Sequence, residues 1–242
     1  LHVIPFEKGH SSSIYKECLL IKENLQNSEF IDDTAYTWCT QVLEEYKKAQ
    51  EQNTAPFQNE TTILEYSKNE KNAFYSFIKS RISCRNFINK PIDNDIWNEI
   101  ISIAIDAPSS CLRLATRYYI EKDSKKIETL TCNIAGATCF SAPIPYLICV
   151  TSSMKNYSLQ DRYLPYIDAS LSIENFLLGC RANNIACVAL NWLHASNTEN
   201  KKVREILNIP NHEHIILFIA AGYPKELPRK PQRLDTKWIR KL

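Results

Sequence analysis

Arg81, Ser83 and Arg85 alternate with other residues in one short polar segment of the chain. Residues two positions apart in an extended backbone project to the same side, so these three side chains can converge. Two guanidinium groups and a hydroxyl are suitable donors for a phosphate or another oxygen-rich ligand. The alternative interpretation is a solvated face whose arginines form surface ion pairs. The segment is therefore a candidate anion site.

Two later blocks place polar groups at the ends of predicted elements. Ala107-Pro-Ser-Ser-Cys111 follows a helix that its proline ends, and its two hydroxyls can bind a ligand or cap the backbone. Residues 188–193 end a predicted strand, at the edge where α/β folds commonly bind ligands. Asn191 and backbone N–H groups could contact a heterocycle there, with Trp192 as an aromatic wall. An ordinary strand exit with a packed tryptophan is the alternative.

A fourth block, residues 221–230, ends a strand and then becomes basic. Lys225, Arg229 and Lys230 could add positive charge around the same anion, or they could form a solvated tail.

The nine cysteines are scattered and form no C-x-x-C pair, which predicts reduced, mostly buried thiols in a cytoplasmic protein. Cys84 and Cys111 lie in the candidate blocks, so a cysteine nucleophile is a further hypothesis, although no histidine is near either in sequence. His212 and His214 would share one face of a strand, but no third ligand is close in sequence, so we predict no metal site.

Composition excludes several classes of protein. The 242 residues include 29 Lys plus Arg and 27 Asp plus Glu, a net charge of +2, which argues against binding nucleic acid by bulk electrostatics. With only 4 glycines, the chain has neither G-x-G-x-x-G nor a P-loop. The longest apolar runs, 142–150 and 215–221, are far shorter than the roughly 20 residues of a membrane helix, so we expect no membrane association.

Helices alternate with strands after a helical N-terminal part, which predicts an α/β or α+β fold around a buried sheet. A polar linker is predicted at 50–59, and Asp93 is placed to cap one of the helices. Helices are predicted at 14–25, 35–46, 61–67, 71–81, 92–107, 127–139, 163–182 and 198–207, and strands at 118–121, 145–151, 185–190 and 215–220.

The order of these blocks resembles that of the FMN-dependent nitroreductase family, over about residues 73–234. No single motif is specific, but the ordered set is. The matching residues are Arg81-x-Ser83-x-Arg85-x-Phe87, Pro91-Ile-Asp93, Ala107-Pro-Ser-Ser110, Ala142-Pro143, Tyr166-Ile-Asp168, Leu190-Asn-Trp192, Val203-Arg-Glu-Ile-Leu-Asn-Ile-Pro210, Gly222-Tyr-Pro224 and Arg229.

The resemblance implies an α+β three-layer sandwich, with a mostly antiparallel central sheet covered by helices, in a domain-exchanged homodimer. Residues 1–70 would be a helical N-terminal extension and residues 71–242 the FMN-binding domain. NAD(P)H would reduce FMN, which would pass a hydride through flavin N5 to a small organic substrate in ping-pong fashion. The resemblance assigns cofactor binding, without naming a catalytic side chain, to Arg81, Ser83, Arg85, Ser109, Ser110, Asn133, Ala189, Leu190, Asn191 and Arg229.

The chain also departs from the family pattern. Leu112 and Leu114 stand where the family usually has Asn and Gln near the flavin, and Ala169 and Asn184 stand where glycine is expected. Two lost hydrogen bonds would weaken FMN binding by roughly 10- to 100-fold. Arg113 could compensate or could occupy the site itself. The alternative function is therefore a degenerate nitroreductase-fold protein, with weakened or lost flavin binding, that acts in binding or assembly.

Overall fold

The computed structural model describes residues 8–25, 33–54, 64–134, 136–137, 140, 143–192 and 195–240. The chain forms two compact units, Leu1–Tyr66 and Ser67–Leu242. The roles assigned above to residues 1–70 and 71–242 stay predictions.

The first unit contains two helices, α1 (Ser12–Leu25) and α2 (Asp33–Gln52). The rings of Tyr15 and Tyr46 stack with centroids 4.7 Å apart, and the Tyr46 hydroxyl donates to the carbonyl of His10 over 2.6 Å. The side chain of Trp38 on α2 is 58% exposed. The apolar residues that α2 buries instead are Leu43, Tyr46 and Ala49.

The second unit is built on a five-stranded sheet in which every named strand pair is antiparallel. The longest strand, β5, pairs with β1, β3 and β4, and β2 pairs with β3. The strands are β1 (Phe87–Ile88), β2 (Thr116–Glu121), β3 (Tyr146–Ser153), β4 (Ala186–Asn191) and β5 (Glu213–Pro224).

Helices α4 (Asn94–Ile105), α5 (Ser124–Thr131), α6 (Leu164–Ala182) and α7 (Asn197–Leu207) pack on the two faces of this sheet. Helix α3 (Lys68–Ser80) and the short α8 (Thr236–Ile239) bury none of their residues. On one face, Ile100 of α4 and Phe176 of α6 pack with Ile148 of β3. On the other face, α5, α7 and β5 supply a second apolar cluster that includes Val203 and Phe218. The alternation of the strands between these clusters produces the three-layer α+β sandwich that the sequence predicted.

Several boundaries differ from the sequence predictions. The described part of the helix predicted at 61–67 is not helical, because Ser67 instead caps α3 in a reciprocal capping box with Glu70. Asp93 stands at the N-cap of α4, but its side chain makes no capping hydrogen bond. Helix α5 ends at Thr131, before the predicted end at 139, and β5 continues to Pro224 where a turn was predicted. Ala142 of the Ala-Pro match lies outside the described residues.

Candidate functional site

The segment that follows α3 runs beside the first half of β4. Ser83 forms an isolated parallel bridge with Cys187, and the Cys84 N–H donates to the Cys187 carbonyl over 3.2 Å. Ser83 and Arg85 are exposed, whereas Cys84 is buried. Main-chain contacts therefore fix this segment against the strand, while Ser83 and Arg85 remain accessible.

Arg81 ends α3 and lines a pocket of about 160 Å³ together with Arg181 of α6. The Arg81 side chain is only 18% exposed, and its Nε lies 4.0 Å from a carboxylate oxygen of Glu174. The Arg181 Nε donates to the Ser80 hydroxyl over 2.9 Å. The sequence analysis missed Arg181, because its position on a helix carried no motif.

Arg85 and Arg229 are not among the residues that line this pocket. Both are exposed, and Arg229 lies in the coil that follows β5. The convergence of Arg81, Arg85 and Arg229 on one anion stays a prediction, and Leu227 of the coil that carries Arg229 does line the pocket. The guanidinium that shares the pocket with Arg81 is that of Arg181.

Ser109 and Ser110 lie beside the buried carboxylate of Asp168 on α6. One Asp168 oxygen accepts from the Ser110 hydroxyl over 2.7 Å, and the other accepts from the Ser110 N–H over 3.0 Å and from the Ser109 hydroxyl over 3.4 Å. The Tyr157 hydroxyl also donates to Asp168 over 2.9 Å. Burial, reinforced by this bond, raises the pKa of Tyr157 to about 12. Within one chain, both serines are thus fixed by a carboxylate.

The loop after these serines has an uncommon backbone. Cys111, Leu112 and Leu114 all have positive φ, at 51°, 53° and 46°, a conformation that costs a non-glycine residue roughly 1–2 kcal/mol. Leu112 is 65% exposed. Arg113 between them is engaged by Asp161 at 3.1 Å and lies over the Tyr157 ring at 5.0 Å. Arg113 is therefore anchored next to the Asp168 group and does not line the Arg81 pocket.

The end of β4 presents alternate residues to opposite faces. Ala189 and Asn191 are exposed, but Leu190 and Trp192 are buried in the apolar cluster on the other face. The Trp192 ring meets Phe218 edge-on at 5.1 Å, and its Nε1 donates to Asn200 over 2.9 Å. The expectation that Leu190 and Trp192 form the wall of a ring site is wrong, because the strand alternation turns both side chains into the core.

Asn133 is half-buried in the turn after α5, where its N–H donates to the Leu130 carbonyl over 3.2 Å. It does not line the Arg81 pocket. Its assignment to the flavin stays a prediction.

The second predicted glycine position keeps a glycine-like backbone. Asn184 has a φ of 56°, the left-handed conformation that asparagine tolerates better than most residues. Ala169, in place of the other expected glycine, is fully buried in α6.

The cysteine hypothesis finds no support in the geometry. Cys84 is buried, and its thiol donates to the carbonyls of Asn86 and Glu226 over 3.4 and 3.5 Å. The eight cysteines within the described ranges are all free.

Within the described ranges, no group of three or more His, Cys, Asp or Glu side chains could hold a metal ion. In the same part of the chain, no helix has the length and apolar character needed to cross a membrane.

Comparisons with known proteins agree with this architecture. Residues 135–223 match the family model described as the Nitroreductase family. A curated protein of Methanothermobacter thermautotrophicus, named "Putative NADH dehydrogenase/NAD(P)H nitroreductase", is 24% identical over 159 residues, covering 62% of this chain and 77% of that protein.

Solved structures show the same fold. A crystal structure of a protein with that name from Parabacteroides distasonis superposes with a TM-score of 0.61 at 21% identity, over 70% of this chain and 98% of that one. An FMN-dependent nitroreductase from Clostridium difficile superposes with a TM-score of 0.58 at 21% identity, over 67% and 95% of the two chains.

Proposed function

We propose that the chain is an FMN-dependent oxidoreductase of the nitroreductase family, whose model matches residues 135–223. NAD(P)H would be the reductant and a small organic molecule the acceptor, with ping-pong hydride transfer through flavin N5. The observation that carries the proposal is the poorly neutralised Arg81 guanidinium in a pocket at the start of β4. A cytoplasmic setting is part of the proposal and agrees with the free cysteines.

The residues around Arg81 and along β4 suit the two ends of FMN, its phosphate and its ring. The phosphate of FMN carries about −1.5 to −2 charges, which match the guanidinium of Arg81. Cys187 lies at the pocket, and Ala189 and Asn191 follow it on the same face of β4. The four residue steps from Cys187 to Asn191 span about 13 Å of strand. The strand therefore leads from the anion pocket past the small, exposed side chain of Ala189, where a flat ring can lie.

Each of these residues has a defined task in the proposed site. Arg81 and the Ser83 hydroxyl bind the phosphate, and Ala189 leaves room for a ring because its side chain is a single methyl group. The edge of β4 near Asn191 supplies polar contacts to the ring edge. When bound, FMN supplies the hydride chemistry, so the protein needs no acid or base side chain for that step and must leave one ring face open to substrates.

A homodimer is the second part of the proposal. Ser110, which contacts Asp168, and Arg81, which shares its pocket with Arg181, lie near opposite halves of α6. The 13 residue steps from Asp168 to Arg181 correspond to about 20 Å along the helix axis. The serine loop of one chain therefore lies far from its own anion pocket, which agrees with the family pattern in which that loop serves the partner's site.

The direct test is the colour of the purified protein. We expect a yellow preparation whose flavin absorption is bleached by NADH or NADPH and restored by an added quinone or nitroaromatic acceptor. Arg81→Ala should weaken FMN binding at least tenfold, because a charge-assisted hydrogen bond is lost. The matched control is Arg162→Ala, which removes an exposed arginine stacked on Tyr163. A colourless protein that does not bind added FMN would contradict the proposal.

A colourless protein would instead support a degenerate family member that acts in binding or assembly. The observation that favours this second candidate is the exposed leucine pair, Leu112 and Leu114, on a strained loop. Replacing both, in the double variant Leu112→Asn with Leu114→Gln, should tighten FMN binding by roughly 10- to 100-fold if these positions face the ring. Unchanged binding would mean that they do not.

A further inference from the structure

We propose that Arg181 is a second ligand of a phosphate group, which the pocket between α3, α6 and the start of β4 holds between two arginines. The proposal rests on the proposed function in so far as that phosphate belongs to FMN. The ligand chemistry itself is a phosphate monoester or free phosphate, and the experiments below separate the two.

The placement of the two arginines in one pocket favours a bound anion. Arg81 at the end of α3 and Arg181 in the last turn of α6 line the same pocket. Like charges repel, and this repulsion is stronger where the surroundings are partly dehydrated. Ile82, Leu177 and Leu227 contribute apolar surface to the pocket. A phosphate group bound between the two arginines would offset this repulsion.

Carboxylates among the described residues do not supply this anion. Within the described residues, no carboxylate oxygen lies within 4.0 Å of Arg181, and its one hydrogen-bond partner there is the neutral hydroxyl of Ser80. Arg81 has only Glu174, whose carboxylate lies at the 4.0 Å limit and whose side chain is 55% exposed. An exposed pair at that distance contributes little, and a nearly buried guanidinium such as that of Arg81 requires more compensation.

The size of the pocket and its position beside β4 also suit a phosphate group. The pocket holds about 160 Å³, far above the roughly 10–15 Å³ that one water molecule needs. Ser80 fixes Nε of Arg181, and this leaves the two terminal nitrogens of the guanidinium as donors. Asn184 adds a side-chain amide at the rim. These guanidinium and amide donors suit phosphate oxygens, and Cys187 at the pocket is the strand residue from which the proposed ring surface continues.

The test compares FMN with riboflavin, which has the same ring system and no phosphate. Dissociation constants are measured by flavin fluorescence on the apo-protein for the wild type, Arg181→Gln and the control Arg162→Gln. We expect Arg181→Gln to weaken FMN binding about tenfold or more and to change riboflavin binding less than twofold, with no effect of the control. An equal effect on both flavins would overturn the proposal.

A second measurement makes the result independent of flavin. Inorganic phosphate at millimolar concentration should raise the thermal midpoint of the wild type and of Arg162→Gln, but not that of Arg181→Gln. An unchanged circular dichroism spectrum of Arg181→Gln serves as the check that the fold persists. If flavins do not bind at all but phosphate shows this pattern, the anion site stands and the proposed function fails. If phosphate stabilises all variants equally, the anion site fails whatever flavin does.

Discussion

Asp168 is the most heavily hydrogen-bonded carboxylate among the described residues. It accepts from Ser109, Ser110 and Tyr157 while its own side chain is buried. A buried carboxylate is stable only with such donors, and the donors in turn lose their partner when it is removed. Through Asp168, helix α6 thus fixes the loop that carries both serines.

We predict that Asp168→Ala lowers the free energy of unfolding by about 3 kcal/mol or more, because four half-buried donor groups lose their acceptor. Urea unfolding followed by circular dichroism measures the change. The control is Asp106→Ala, an exposed aspartate at the end of α4, for which we expect a change within about 0.5 kcal/mol. Equal effects of the two substitutions would show that the four hydrogen bonds contribute nothing net.

The Tyr157 hydroxyl responds to pH in a direction that its surroundings determine. Burial and Asp168 raise its pKa from an ordinary value near 10 to about 12, so folding favours the protonated form. The resulting stabilisation is complete below about pH 10 and is lost as the pH rises towards 12.

We therefore expect the unfolding free energy of the wild type to fall more steeply between about pH 10 and pH 12 than that of Tyr157→Phe. Chemical unfolding at several pH values tests this expectation. Tyr163→Phe, which alters an exposed tyrosine, should keep the wild-type slope. Parallel curves for all three proteins would contradict the assignment of the raised pKa to Tyr157.

At the scale of elements, β5 explains why the sheet closes tightly around one glycine. A Cβ placed on Gly222 would lie 2.9 Å from Cγ of Pro145 and 3.2 Å from Cβ of Phe87. Gly222 pairs with Ala186 of β4, and its neighbour Tyr223 pairs with Ile88 of β1. The glycine therefore permits β1 and the residues before β3 to approach the strand that they flank.

We predict that Gly222→Ala destabilises the protein by roughly 1–3 kcal/mol, since an inserted methyl forces the neighbouring side chains and backbone to move. Thermal or urea unfolding measures the loss. The matched control is Ala182→Ser at the exposed end of α6, which should change stability by less than about 0.5 kcal/mol. Full stability of Gly222→Ala would mean that Pro145 and Phe87 can shift without cost.

For the whole molecule, an exposed apolar surface agrees with the proposed homodimer. Ile105 of α4, Ile167 and Leu171 of α6 and Leu112 of the serine loop are all exposed large hydrophobic residues in the second unit. Ile167 and Leu171 lie one turn apart on α6, and exposed apolar patches commonly mark an interface with another protein. The proposed partner is a second copy of the chain, because the serine loop lies far from its own anion pocket.

We expect light scattering to show a dimer for the wild type and a monomer for the double variant Ile167→Glu with Leu171→Glu, because two charges cannot be buried in an apolar interface without a large cost. The monomer should also bind FMN more weakly. The control, Leu20→Glu, changes an exposed leucine of α1 in the first unit and should leave the mass unchanged. A wild type that is monomeric at micromolar concentration would contradict the homodimer.

The chain sequence by itself determined most of the order of helices and strands, because apolar periodicity and the placement of proline act locally. It did not predict the short elements β1 and α8. The ordered motifs then indicated the nitroreductase family, and with it an antiparallel sheet between two layers of helices. Local pattern also located the segment of Arg81 and the Asp168 region, since both lie at element ends.

Only the tertiary structure decided which side chains meet. Arg81 and Arg181 are 100 positions apart, and they share a pocket because α3 and α6 end at the same edge of the sheet. Ser110 meets Asp168 across 58 positions, and Trp192 turns into the core because its strand alternates. Such encounters depend on how helices pack on a sheet, and packing depends on shape over the whole core, which a local pattern does not contain.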